Sequence, residues 1–140
     1  MLLLYSYNMS LGEAMWMYLQ GDKRHWIREG EWEVKFRRNE FDFQYCQDPI
    51  LAHFEYKIIQ NDETLLRMQN YHRMIFLEHG IGIGTLLLKE LEEGFSELAY
   101  RLGKRVVTDF SPDNQKDTIA WLIKNGYRLE DTLYTKVFDS

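Results

Sequence analysis

The stretch His79-Gly80-Ile81-Gly82-Ile83-Gly84-Thr85 constrains this chain more than any other. An apolar segment, Met74-Ile75-Phe76-Leu77, runs into it, and an amphipathic run opening with Leu86-Leu87-Leu88 leaves it. The order is therefore strand, glycine loop, helix. Glycine lets the backbone reach positive φ and come close to a ligand. A helix that opens there has N–H groups without partners at the positive end of its dipole. Together these make an anion site, and the usual anion is a phosphate or pyrophosphate. A tight strand-to-helix turn that binds nothing uses the same residues, and short glycine motifs also match by chance.

Downstream, Leu87, Leu91, Phe95, Leu98 and Leu102 form one helical face that ends at Gly103. Glu90, Glu92, Glu93 and Glu97 sit mainly on the other side and read as a solvated face without chemistry. Arg105 to Phe110 is a short β-branched strand. It follows a strand and a crossover helix, so it should lie parallel to the strand before the glycines. Ser111 and Pro112 then suit the cap and first turn of a second helix, with Ile119, Trp121, Leu122 and Ile123 as its apolar residues. Gly126 follows its end. Tyr127 to Leu129 and Thr132 to Phe138 close the chain as strands.

Upstream the pattern is different. Leu2 to Tyr7 reads as a strand. Ser10 with Glu13 forms a capping box, Gly21 is a stop, and a helix is expected over 11–20. Met9, Met15 and Met17 read as core. His25 to Arg28 suggests a helical turn before Gly30. Glu31 to Arg38 alternates Trp32, Val34 and Phe36 with Glu33, Lys35 and Arg37, the mark of a half-buried strand. Asn39-Glu40 turns it into Phe41 to Tyr45, a hairpin. After the loop at Asp48-Pro49, Leu51 to Ile59 pairs across Gln60 to Glu63 with a strand over Leu65 to Leu77. Basic residues between aromatics suggest a platform for single-stranded nucleic acid. The two classes fall on opposite faces, however, which favours an ordinary sheet with one wet side.

A chain of 140 residues with 45% hydrophobic residues suits one domain with a full core. A formal charge of -5 argues against nucleic acid as a partner. The lone Cys46 excludes an internal disulfide and a cysteine zinc site. Met1 to Tyr5 lacks the build of a signal peptide, and no apolar run reaches the ~18 residues of a membrane span. The expectation is a soluble, cytoplasmic protein with no membrane partner.

The glycines allow two enzyme readings. In a dinucleotide fold, Gly80-x-Gly82 would meet the pyrophosphate and Asp109 the ribose. That fold needs repeated strand–helix units, and the upstream antiparallel pattern lacks them. The second reading uses more of the chain. Residues 71–127 resemble the GCN5-related N-acetyltransferase (GNAT) family. Its motif, Arg/Gln-x-x-Gly-x-Gly/Ala after a strand and before a Leu-rich helix, corresponds to His79 through Gly84. Val106-Val107, Asn114, Ala120-Trp121 and Gly126-Tyr127 follow in the family's order.

The resemblance implies an α+β fold. Its mixed, mostly antiparallel sheet has a central parallel pair splayed to hold acetyl-CoA, with helices on both faces. Backbone N–H groups of Gly80, Ile81, Gly82, Ile83, Gly84 and Thr85 would hold the pyrophosphate, with His79 at the family's Arg/Gln position beside the phosphates. Backbone at Ile75, Phe76 and Leu77 would pair with the pantetheine arm, and Asn114 would reach the same arm. The reaction would be direct acetyl transfer to the amine of a small molecule or peptide. It needs a base, a backbone N–H to polarise the thioester, and a proton donor for the thiolate. The family's usual Tyr donor falls on Leu122, which leaves Tyr127 or Tyr134 for that role. His72, Glu55, Glu78 and Asp109 are candidate bases. No metal is implied. A catalytically silent domain that binds acetyl-CoA, CoA or a protein is the alternative. Neither the acceptor nor the choice between monomer and homodimer is written in the sequence.

Overall fold

The computed structural model describes residues 9–22, 26–46, 49–75, 82–112 and 115–139. The strand expected over Leu2 to Tyr7 lies outside them. So do the site candidates Phe76, Leu77, Glu78, His79, Gly80, Ile81 and Asn114.

Helix α1 (Leu11–Leu19) starts where the sequence sets its cap. Ser10 is extended, and its hydroxyl accepts the Glu13 N–H at 3.1 Å. The same hydroxyl donates to Glu97 at 2.5 Å, which ties the helix start to a residue distant in sequence. Met15 is buried and Met9 packs against the core, as expected.

The segment read as a helical turn at His25 to Arg28 is instead strand β1 (Trp26–Glu29); His25 itself is outside the described residues. Gly30, at φ 59, lets the chain double back so that Ile27 sits opposite Val34 in β2 (Trp32–Arg37). A cross-strand ladder and a buried Ile27 outweigh local helical propensity.

β3 (Glu40–Tyr45), β4 (Ala52–Asn61) and β5 (Leu65–Ile75) continue the meander, and β6 (Arg105–Phe110), β7 (Arg128–Glu130) and β8 (Leu133–Phe138) complete it. The sheet order is β1-β2-β3-β4-β5-β6-β8-β7. Every neighbouring pair is antiparallel except the central β5–β6. That parallel pair is connected by α2 (Ile83–Leu102), as the crossover argument requires.

Alternation decides which face meets the helices. Trp32, Val34, Phe36, Phe43, Phe54, Tyr56, Leu66 and Met68 share one buried core with α1 and α2. Tyr18 of α1 stacks on Phe36 at 4.8 Å, and Phe95 of α2 meets Phe43 edge-on at 6.2 Å. Each such ring contributes about 1.5–3 kcal/mol by burial. These aromatics are therefore not a free stacking platform for bases.

Where α1 and α2 cross, two glycines meet. A Cβ on Gly12 would lie 2.6 Å from the Glu97 Cβ and 2.7 Å from the Gly94 carbonyl oxygen. A Cβ on Gly94 would lie 3.1 Å from the Leu11 Cβ.

The acidic residues of α2 are not simply solvated. Glu90 accepts the Trp32 indole N–H at 2.7 Å. Glu92 takes the Tyr127 hydroxyl at 2.8 Å and the Lys136 ammonium at 3.0 Å. Glu97 binds Arg101 as well as Ser10. They anchor α2 to α1 and to the sheet, a role that periodicity alone does not reveal.

The second helix also begins later than expected. Pro112 is buried and its carbonyl accepts the Gln115 N–H at 3.1 Å, so the chain turns before α3 (Lys116–Lys124) starts. Leu122 of α3 is fully buried in the shared core. No described helix is long and apolar enough to cross a membrane.

Candidate functional site

The central parallel pair does not run the full length of β5. The ladder begins at Leu65–Arg105 and ends at Asn70–Phe110. β5 continues to Ile75, paired only with β4 among the described residues. The two strands part at a bulge. His72 is opposite Glu55 and Asn70 is opposite Tyr56, so Tyr71 is the extra residue.

Asn70 explains why the bulge holds. It is 1% exposed, and its Nδ2 donates to the carbonyls of Glu55 at 3.2 Å and His72 at 3.1 Å. An irregular ladder can leave backbone groups without regular partners, and a side-chain amide can serve them. Arg73 lies alongside. Its guanidinium reaches the Asn70 Oδ1 at 3.5 Å and sits 5.7 Å from the Phe110 ring centroid. The floor of the split therefore consists of Asn70, Arg73 and Phe110.

At the far end of the split α2 begins. Gly82, its N-cap, has φ 75 and ψ 7, a left-handed conformation natural to glycine. The first intrahelical bond runs from Leu86 N to Gly82 O at 3.1 Å. The N–H groups of Ile83, Gly84 and Thr85 thus open the helix without intrahelical acceptors. The cap residue itself offers no side chain, and the first turn carries no acidic residue. Gly84 answers a different need. A Cβ there would stand 3.2 Å from Ile75 Cδ1 and 3.8 Å from Trp121 Cζ2. Trp121 of α3 donates to the Thr85 hydroxyl at 3.0 Å, which fixes α3 against this first turn. Of the residues expected to hold a cofactor, Ile75, Gly82, Ile83, Gly84 and Thr85 are thus brought together around one opening.

The candidate catalytic residues separate. Asp109 is 2% exposed. Arg67 lies 3.0 Å from its Oδ2, and the Thr135 hydroxyl donates to its Oδ1 at 2.6 Å. Tyr127 is 2% exposed, and its hydroxyl donates to Glu92. Burial first, then the neighbouring Tyr56 and Glu92, pushes its pKa up. Burial and these partners speak against Asp109 and Tyr127 as groups that meet a substrate. Asp109 is equally unsuited to the ribose of a dinucleotide.

His72 is only partly buried, on the polar face just past the bulge. Glu55 lies across from it. Its Oε2 accepts the Tyr71 hydroxyl at 2.6 Å, and its Oε1 is 3.4 Å from His53 Nε2. Burial and the Glu55 carboxylate push the Tyr71 hydroxyl pKa up. His53 Nε2 also lies 2.5 Å from Asp42 Oδ1, and Arg37 sits within 3.6 Å of Asp42 and 3.9 Å of Glu55.

The sequence reading missed Asn70, Asp42 and His53. One signal was available. Leu66 and Met68 alternate cleanly, and the alternation breaks at Asn70, inside the polar run Gln69-Asn70-Tyr71-His72-Arg73. A break of this kind marks a bulge.

No protein-family model matches the chain, and no curated protein does. Solved structures match it. An acetyltransferase of the GNAT family from Streptococcus pneumoniae superposes with a TM-score of 0.50 at 16% identity, over 71% of this chain and 67% of that one. The fold is that of the GNAT acetyltransferases. Arabidopsis thaliana Naa50 in complex with the bisubstrate analogue CoA-Ac-MVNAL also matches, with a TM-score of 0.47 at 16% identity over 72% of each chain. In the GNAT-like sheet of this chain, the parallel pair is β5–β6, and the split opens beyond Asn70.

Proposed function

We propose that this protein transfers the acetyl group of acetyl-CoA directly to an amine. One observation carries the reading. The β5–β6 ladder stops at Asn70–Phe110, while β5 runs on to Ile75 toward a glycine-capped helix whose first N–H groups have no intrahelical acceptors. This supports a slot with two kinds of donor. The edge of β5 from Tyr71 to Ile75 suits the amides of a pantetheine arm, added as a strand. The opening of α2 suits the pyrophosphate. Phe76, Leu77, His79, Gly80, Ile81 and Asn114 would contribute to the same grip by resemblance.

The chemistry follows from the bond made. An acceptor amine arrives as an ammonium and must lose a proton before its nitrogen attacks the thioester carbon. His72 is the proposed base. It is half-exposed, on the edge of the split, and backed by Glu55. A backbone N–H of β5 would polarise the thioester oxygen, an electrostatic contribution that grows in a water-poor slot. Collapse of the tetrahedral intermediate expels the CoA thiolate, which takes a proton. The acceptor is a small molecule or a peptide with a free amine.

A second reading rests on Leu122. It is fully buried where the family's tyrosine donor would stand. A domain that binds acetyl-CoA without turnover fits that substitution.

Thermal unfolding with and without acetyl-CoA tests the cofactor. Ligand at about a hundred times its dissociation constant stabilises the folded state by roughly 2.7 kcal/mol, a shift of several degrees. A shift with acetyl-CoA and none with NAD is expected. No shift would sink both readings. Turnover with a panel of amines then separates enzyme from silent binder, and His72→Gln should lower kcat while leaving acetyl-CoA affinity intact.

A further inference from the structure

The polar face of β3, β4 and β5 carries a cluster that acetyl transfer uses only in part. Glu55 faces His72 across the ladder, and His53 lies two residues before Glu55 on the same face. One nitrogen of each imidazole and one Glu55 oxygen lie within 4.8 Å of one another, all on half-buried residues. Behind them Asp42, 2% exposed, meets His53 Nε2 at 2.5 Å. We propose that His53, Glu55 and His72 bind a divalent transition-metal ion of the zinc class, which would take His53 Nε2 from Asp42 and leave that carboxylate beside the ion.

The register makes the site. Along an unbroken strand, Asn70 and His72 would share a face, and His72 would point into the core. The bulge at Tyr71 shifts the phase by one residue and turns His72 toward Glu55 and His53. Paired strands hold the donors more firmly than a loop would.

The donor set selects the metal. Two imidazoles and one carboxylate suit zinc, cobalt, nickel or copper; magnesium and calcium prefer oxygen ligands. Zinc bonds of ~2.0–2.2 Å place donor atoms around one ion about 3–3.5 Å apart, so small side-chain rotations close the present gap. Charge favours a cation as well. Asp42 and Glu55 are both approached by one guanidinium, Arg37, which cannot neutralise two carboxylates. The Asp42 carboxylate at His53 Nε2 adds negative charge beside the ion. The His53 and Glu55 side chains keep 18% and 15% exposure, leaving water room to complete the coordination.

A bound ion would occupy the His72 lone pair and block proton transfer. That consequence rests on the acetyl-transfer reading; metal binding itself does not.

The test is a Co2+ titration of the untagged full chain, followed by visible d–d absorption. One Co2+ should bind per chain, Zn2+ should displace it, and excess Mg2+ should not. His72→Ala and Glu55→Gln should abolish the signal, while Asp42→Asn, which removes a negative charge beside the ion, should weaken affinity. Glu55→Gln is nearly isosteric and gives the same readout if His72→Ala fails to fold. No cobalt absorption, or an unchanged titration in a folded Glu55→Gln or His72→Ala variant, overturns the site. An unchanged Asp42→Asn affinity overturns the role of Asp42. The acetyl-CoA melting shift is read on metal-free protein, so failure of the transferase reading and failure of the metal site are distinguishable.

Discussion

At the start of α1, the Ser10 hydroxyl accepts the Glu13 N–H, and Glu13 places a carboxylate in the first turn. At the start of α2 the cap is Gly82, without a side chain, and the first turn has no acid. A side-chain cap contributes about 1 kcal/mol and a first-turn carboxylate roughly 0.3–1 kcal/mol. α2 forgoes both. It has 20 residues and buries Leu87, Leu88, Leu91, Gly94, Phe95, Leu98 and Ala99, so tertiary packing holds it without a cap. α1 has 9 residues and less packing to rely on. Its opposite end makes the contrast sharper. Gly103 closes α2 by donating to Ala99 and Tyr100, while the N-terminal opening has no side-chain cap at Gly82. An anion there would supply what Ser10 and Glu13 supply to α1.

The largest expected effect breaks this contrast outright. Gly82→Glu should abolish acetyl-CoA binding, read by calorimetry. It adds negative charge at the opening and forces a side chain into a left-handed conformation, a strain of about 1–2 kcal/mol. Gly82→Asn sharpens the point. Asparagine tolerates the conformation and brings its own acceptor, so stability should hold while affinity falls. Unchanged affinity in both variants would mean that the opening is a turn and nothing more.

Next in size is Gly84→Leu, which should cost about 1–3 kcal/mol in urea unfolding because Ile75 and Trp121 already fill the space. Gly84→Ala should cost much less, since Ile75 Cδ1 is the end of a flexible side chain and needs to move only slightly.

Ser10→Ala should destabilise by about 1 kcal/mol with acetyl-CoA affinity unchanged. A change in affinity there would erase the distinction between the two helix starts.

The smallest effect concerns a third set of amides. Asp62 Oδ1 accepts the N–H groups of Thr64 at 2.9 Å and Leu65 at 3.1 Å, and Gln60 donates to Oδ2 at 2.6 Å. The Gln60 bond first, then those from Thr64, holds this carboxyl at about 2, below its ordinary 3.8. A lowered folded-state value means that the stabilisation is complete above 3.8 and fades as the pH falls toward 2. The melting difference between wild type and Asp62→Asn should shrink in that window. A constant difference would show that the carboxylate charge is irrelevant to the turn.

Periodicity carried most of the fold. The buried face of α2 and the alternating strands β2 and β3 depend on spacings of three, four or two residues, which survive without tertiary information. His25 to Arg28 misled because its partner, β2, becomes visible only once the Gly30 turn is known. Ser111-Pro112 misled because a buried proline turn precedes α3. The opening at Gly82 was legible as a local motif. The polar cluster was not: Asp42, His53, Glu55 and His72 belong to three strands and converge only through register and a single extra residue.

The glycine crossing of α1 and α2 has an evolutionary consequence. A Cβ on Gly12 would stand 2.7 Å from a backbone carbonyl, and backbone cannot rotate aside as a side chain can. A methyl group on either helix would push the two axes apart and pull Ser10 from Glu97 and Leu11 from its seat. Neither position can drift by single neutral steps. The two glycines should persist together across descendants of this chain, or change together with a reset of the angle at which the helices cross.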